Sequence, residues 1–205
     1  MHIAITGTGN VGSALAKAWS AAGHQIVLGV RDLDHFKGKD LLHVPGISAL
    51  PVPDAVQAAE VVVLATPAMQ AVAVAQSLGD TSGKIIIDTM NIVMGRGPEG
   101  YPNTSLAILD HTASRDVVKC FNTTGFHNME NPHYGDQALD LFVAGDSVKG
   151  KDVARQLALD AGFAACYDVG GNDRFTLMEQ FAWFWINLAM FQGQGCEIGF
   201  KLLHR

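Results

Sequence analysis

An α/β chain wound around a mostly parallel sheet is the fold the sequence predicts, and three observations predict it. Short β-branched runs alternate with alanine-rich stretches of helical character. A glycine cluster, Gly7-Thr8-Gly9-Asn10-Val11-Gly12, separates the first run from the first such stretch. The runs themselves are apolar at nearly every position. Near-continuous apolar runs suit strands buried on both faces of a parallel sheet, and their alternation with helices predicts a doubly wound, Rossmann-type arrangement.

Taken in order, "HIAIT" (2–6) reads as the first strand and residues 11–22 as the first helix, with Gly23 placed just past its end. "QIVLGV" (25–30) is the second strand. The segment 45–57 holds a short strand and then a helix opening near Pro53-Asp54. "VVVLAT" (61–66) follows, and Pro67 opens the helical stretch 68–78. "KIIID" (84–88), "DVVKCF" (116–121) and "LDLFVAG" (139–145) complete the strands. The glycine-rich stretch 91–104 reads as a long loop and a candidate lid or substrate loop.

After Gly170-Gly171 the character changes. Residues 173–193 read as one strongly apolar helix carrying Phe175, Leu177, Phe181, Trp183, Phe184, Trp185, Leu188 and Phe191. One stripe against a small sheet cannot absorb so many large side chains, so the helix is buried all round or faces a second subunit. The expected organisation is a nucleotide-binding domain over 1–172 and a short C-terminal helical extension over 173–205.

Composition narrows the function classes. The 205 residues are 48% hydrophobic and 17% charged, with a net charge of −6 and no basic stripe, which argues against nucleic acid as a partner. The apolar helix is interrupted by Glu179, Gln180 and Asn187, too polar for a membrane span. The start runs directly into a strand without a signal peptide. Cys120, Cys166 and Cys196 are odd in number and far apart, which suits reduced thiols in a cytoplasmic protein.

The glycine cluster fits G-x-G-x-x-G between a strand and a helix. Gly7 permits the tight turn, Gly9 lets the backbone approach a pyrophosphate, and Gly12 lets helix and strand pack closely. In NAD enzymes a carboxylate at the end of the second strand binds the ribose 2′-OH. Here that position is Val30, followed by Arg31, whose guanidinium suits a 2′-phosphate. The cofactor expected is therefore NADP(H), with neighbouring Asp32 as a competitor for Arg31.

Beyond this motif, "TGTGNVGSALA", "GHQIVLGVR", "VVLATP", "IIIDTMN", "VVKCFNT" and "NLAMFQGQGCEIGFKLL" occur in an order and spacing that resemble the NADP-dependent deazaflavin (coenzyme F-420) oxidoreductase family. The NADP-binding half of the STEAP metalloreductases is related and shares "FNT". The resemblance implies a homodimer that passes hydride between nicotinamide and a flavin-like ring. It implies that Thr8, Gly9, Asn10 and Val11 cradle the pyrophosphate and that Arg31 meets the 2′-phosphate. Ala65, Thr66 and Pro67 would line the nicotinamide side, with Asn91 after the fifth parallel strand. Phe121, Asn122 and Thr123 would lie near the junction of the rings, with Asn122 and Thr123 as the catalytic candidates.

Two positions depart from that family's pattern. Val30 stands where deazaflavin-using members carry Ser or Thr, and Asn122-Thr123-Thr124-Gly125 stands where they carry His-Thr-x-Pro. The acceptor is left open between a deazaflavin and a flavin. An NADP-dependent reductase of a small carbonyl or imine is the alternative, weakened because only 33 residues follow Asn172. A non-catalytic NADPH-binding redox sensor is the third. Asn91 and Asn122 suit either ring contacts or turn capping. His127 and His133, in "GFHNMENPHYGD", read as a solvated loop and not as a metal site. Asp88 and Asp168 each end an apolar run and read as strand-end caps.

Overall fold

The computed structural model describes all 205 residues. Its elements, in chain order, begin with β1 (His2–Thr6), α1 (Asn10–Ala21), β2 (Gln25–Val30), β3 (Ile47–Pro51) and α2 (Val52–Ala58). They continue with β4 (Val61–Leu64), α3 (Ala71–Ser77), β5 (Ile85–Asp88), α4 (Thr104–His111), β6 (Asp116–Cys120) and α5 (Phe126–Glu130). A small hairpin, β7 (His133–Tyr134) and β8 (Gln137–Ala138), leads into β9 (Asp140–Ala144), α6 (Val148–Asp160), β10 (Ala165–Gly170) and α7 (Phe175–Ile186).

One eight-stranded sheet runs in the order β10-β9-β6-β5-β4-β1-β2-β3. The six strands from β3 to β6 are mutually parallel, and β9 pairs antiparallel to β6 with β10 parallel beside it. The expected Rossmann-type, mostly parallel sheet is therefore present. Alternation along each strand divides the core. Ile3, Ile5, Val61, Val63, Ile85 and Ile87 pack under α1 and α6, whereas Ala4, Val62, Leu64 and Ile86 pack under α2, α3 and α4. Trp19 of α1 is fully buried, donates from Nε1 to the Leu157 carbonyl (2.8 Å) and meets Phe121 edge-on at 5.3 Å.

Several elements differ from the sequence reading. The 61–66 run is strand only to Leu64, because Ala65 and Thr66 turn out of the sheet. The 116–121 run stops at Cys120, because Phe121 adopts φ +59°, a left-handed conformation that a strand cannot contain. The 68–78 helix starts as a 3-10 turn, Ala68–Gln70, closed by the Gln70 N–H on the Pro67 carbonyl. β10 was not among the expected strands. It lies at the sheet edge, half-exposed along most of its length, so it lacks a continuous apolar run. Residues 173–193 are not one helix: a 3-10 turn precedes α7, and a π turn, Asn187–Phe191, ends it before the exposed Gly193 and Gly195.

The C-terminal residues fold back as a strap. Trp185 Nε1 and Asn128 Nδ2 both donate to the Ile198 carbonyl, and Asp140 bonds the backbone of Phe200 and Leu202.

Asp168 on β10 takes hydrogen bonds from Lys151 and from the Gly170 N–H, with Arg155 close by. Burial pushes this carboxyl up, but those cations and the backbone donor outweigh burial and hold it below its ordinary value of 3.8. A depressed folded value means that the contribution is present above about pH 4 and is lost as pH falls through that folded value. The Tm gap between wild type and Asp168→Asn is thus expected to shrink between about pH 7 and about pH 3. A gap that held constant would contradict it.

Candidate functional site

In a doubly wound sheet the strand order reverses beside β1, and the crevice outside the strands' C-terminal ends takes the ligand. Here a cleft of about 980 Å³ opens at that place. Gly7, Thr8 and Gly9 form its floor, Val30 and Arg31 continue into one wall, and Ala65, Thr66 and Pro67 form the other. Gly7 has φ +101°, and a Cβ there would stand 2.5 Å from the Ala65 carbonyl, so only glycine fits. A Cβ at Gly12 would collide with the Gly7 carbonyl, whereas one at Gly9 meets nothing within 4 Å. The Gly9 side of the loop is thus open backbone facing the cleft.

Three features fit this cleft to a dinucleotide phosphate. No side chain caps the N-terminus of α1, and no acidic residue lies in its first turn, so its N–H groups and dipole are free for an anion. Thr6 Oγ1, buried against the floor, has no hydrogen-bond partner. Arg31 is exposed and joins no salt bridge. Asp32, the expected competitor, is occupied elsewhere: its carboxylate accepts from the N–H groups of Asp34 and His35 and lies 3.6 Å from the His35 ring.

Among the cleft residues that the sequence did not single out are His35 and Lys37. Lys37 reaches across the mouth to Asn10 Oδ1 (3.2 Å). A polar, cation-bearing segment directly after a β2 end that already carries Arg31 was the available signal.

The other expected site residues fall outside this lining. Asn10, Val11 and Gly12 stand in the first turn of α1, with Val11 packed on the core. Asn91, Asn122 and Thr123 lie beyond the ends of β5 and β6. Asn91 Nδ2 donates to the Asn122 carbonyl, and Asn122 Nδ2 donates to Asn91 Oδ1, both at 2.8 Å. Asn122 Nδ2 also reaches the Met178 carbonyl on α7, which leaves Asn122 Oδ1 buried and unpartnered. The strained Phe121 immediately before it sets the direction of this turn, at a cost of about 1–3 kcal/mol.

Beside the asparagine pair lies a buried ionic cluster. Asp88 and Lys119 are neighbours in the β5–β6 register, both with 0% exposure, and Lys119 Nζ contacts Asp88 at 2.6 Å and Glu179 of α7 at 3.0 Å. The reading of Asp88 as a strand-end cap is therefore incomplete. It bonds the Met90 N–H as a cap does, and it also gathers Thr104, Ser105 and Lys119.

Fold and cleft are those of a Rossmann-type dinucleotide-binding protein, and the proteins it resembles make it an NADP(H)-dependent oxidoreductase. Residues 2–92 match the family described as NADP oxidoreductase, coenzyme F420-dependent, and over these residues the expected resemblance is borne out. Among solved structures, a candidate F420-dependent NADP-reductase from Arthrobacter sp. FB24 is similar along its whole length. It shows 26% identity and a TM-score of 0.83, with 100% of both chains covered. A hypothetical protein from Sinorhizobium meliloti is 26% identical, with a TM-score of 0.70 over 83% of this chain and 85% of that one. A reductive aminase from Aspergillus terreus, solved with NADPH and ethyl-5-oxohexanoate, shares the fold at 18% identity. Its TM-score is 0.67, over 93% of this chain and 62% of that one.

Proposed function

We propose that the chain moves hydride between NADP(H) and a second planar ring, a deazaflavin or a flavin, as a cytoplasmic homodimer. The observation that carries the reading is Arg31, a guanidinium without a salt-bridge partner at the end of β2, where an NAD enzyme presents a carboxylate. The backbone of Gly7, Thr8, Gly9, Asn10, Val11 and Gly12 holds the pyrophosphate. Arg31, helped by Lys37, holds the 2′-phosphate. Ala65, Thr66, Pro67 and Asn91 border the nicotinamide, and Asn122 and Thr123 stand where the two rings meet.

NADPH, when bound, supplies the two electrons and proton of a hydride from its nicotinamide. The protein's part is then alignment and exclusion of water, which need no acid–base pair. The mutual hydrogen bonds of Asn91 and Asn122 pre-set both side chains for such alignment. The names of the matching family and of the Arthrobacter protein support the deazaflavin as acceptor.

Residues 173–205 serve in this proposal as a separate extension that builds the second-ring region and the dimer. On α7 and the π turn, Leu177, Trp183, Phe184, Met190 and Phe191 are all exposed, an apolar face that a second copy would cover. Light scattering should therefore give about twice the chain mass of 21.8 kDa, and a monomer at micromolar concentration would refute the dimer.

The acceptor is tested by anaerobic NADPH oxidation with F420 and, separately, with FMN. Turnover with F420 alone supports the family's reaction despite Asn122 and Gly125, and turnover with FMN alone assigns a flavin acceptor. Turnover only with a small imine or carbonyl would establish the alternative substrate class. NADPH binding without turnover would leave the sensor reading.

A further inference from the structure

The cluster beside Asn91 carries one more negative charge than positive. Asp88 and Glu179 contribute two carboxylates and Lys119 one ammonium, all nearly sealed from water. Backbone N–H groups, two hydroxyls and the Lys119 ammonium surround those carboxylates. Asp88 accepts from the Met90 N–H, the Thr104 and Ser105 hydroxyls and Lys119, and Glu179 accepts from the Ile92 and Thr104 N–H groups. The N-terminus of α4 opposes the two carboxylates with only a partial positive charge.

The cluster grips the chain on both sides of Asn91. Lys119 Nζ donates to the Met90 carbonyl at 2.8 Å, and the Ile92 N–H donates to Glu179 Oε2 at 2.9 Å. Asn91 is in turn locked to Asn122, whose Oδ1 is still unpartnered.

We infer that Glu179 is a positioning residue that fixes Asn91 from α7 and supplies the surplus buried charge favouring oxidised over reduced nicotinamide. The inference rests on the reading that Asn91 borders that ring. The oxidised ring carries one positive charge that the reduced ring lacks, while phosphates and riboses are common to both. The ratio of the two affinities therefore isolates the charge effect. One unit of charge acting over roughly 10 Å at an effective dielectric near 20 changes such a ratio by about tenfold.

The experiment titrates the full chain and two variants with NADP⁺ and with NADPH. Glu179→Gln keeps the shape and removes the surplus charge, so Kd(NADP⁺)/Kd(NADPH) is expected to rise about tenfold. Thr176→Val breaks a neutral tie between the same parts, the 3.0 Å bond from Asn103 Nδ2, and is expected to leave the ratio at the wild-type value. Should Glu179→Gln fail to fold, Asp88→Asn removes the same unit of charge from the other side of Lys119.

An unchanged ratio in the charge variant overturns the inference and leaves the nucleotide site standing. A shift as large in Thr176→Val assigns the effect to loosened packing and overturns it as well. A wild-type chain that binds neither nucleotide removes the nucleotide reading, and the inference with it.

Discussion

Replacing Arg31 by alanine is expected to weaken NADPH binding by about a hundredfold and to leave NADH within a factor of two or three. The guanidinium sits at the end of β2 on the cleft wall with no salt-bridge partner to give up. Hydrogen bonds to a charged group contribute about 1.5–3 kcal/mol each, and a bidentate contact to phosphate loses both when the fork is removed. Lys37 at the cleft mouth keeps part of the attraction, which limits the loss to the hundredfold range. NADH lacks the 2′-phosphate, so its affinity rests on the glycine loop and the start of α1, neither of which Arg31 touches. Paired titrations of the two nucleotides decide the matter. Equal losses for both would refute the 2′-phosphate assignment.

The second large effect is on stability. Lys119→Met is nearly isosteric, yet it leaves Asp88 and Glu179 facing each other in a dry interior without their shared cation. Removing one partner of a buried ion group costs about 3–5 kcal/mol. For a chain of this size that is a fall in Tm of about 10 °C. Pairing it with Glu179→Gln, which removes one of the stranded anions, should recover part of the loss. Thermal melts of the single and double variants provide the check. A loss below about 1 kcal/mol in the single variant would contradict a sealed ion cluster.

The cleft beside β1 was legible in the sequence because its information is local. Gly7 and Gly9 lie in one turn, Gly12 in the helix that it opens, and Arg31 directly follows the very next strand, so spacing alone brings them to one edge of the sheet. The core strands were legible for the same reason, since each apolar run is itself a strand. The ionic cluster was not, because Asp88, Lys119 and Glu179 are brought together by the β5–β6 register and by how α7 docks, and neither follows from local pattern.

One signal was available nonetheless. Lys119 interrupts "DVVKCF", and a lysine inside a strand buried on both faces requires an anionic partner. Asp88, at the end of the adjacent run, was the obvious one. The end of that strand was lost to Phe121, whose left-handed backbone no propensity for an aromatic residue would foretell.

Gly125 follows the asparagine turn with an ordinary extended backbone, φ −75° and ψ 158°, so nothing in its conformation demands glycine. What demands it is space: a Cβ would stand 2.6 Å from Cη2 of Trp185, which is pinned through Nε1 to the Ile198 carbonyl. The two positions are therefore sterically coupled, although 60 residues of chain separate them. A lineage that gained a side chain at 125 while keeping the tryptophan would pass through a clashing intermediate. One that first shrank Trp185 would open a void and release the C-terminal strap. Relatives that carry proline at the first position are thus expected to carry something smaller than tryptophan at the second. The shape of this turn thus belongs to the pair Gly125 and Trp185 together, and a change at one is expected to demand a change at the other.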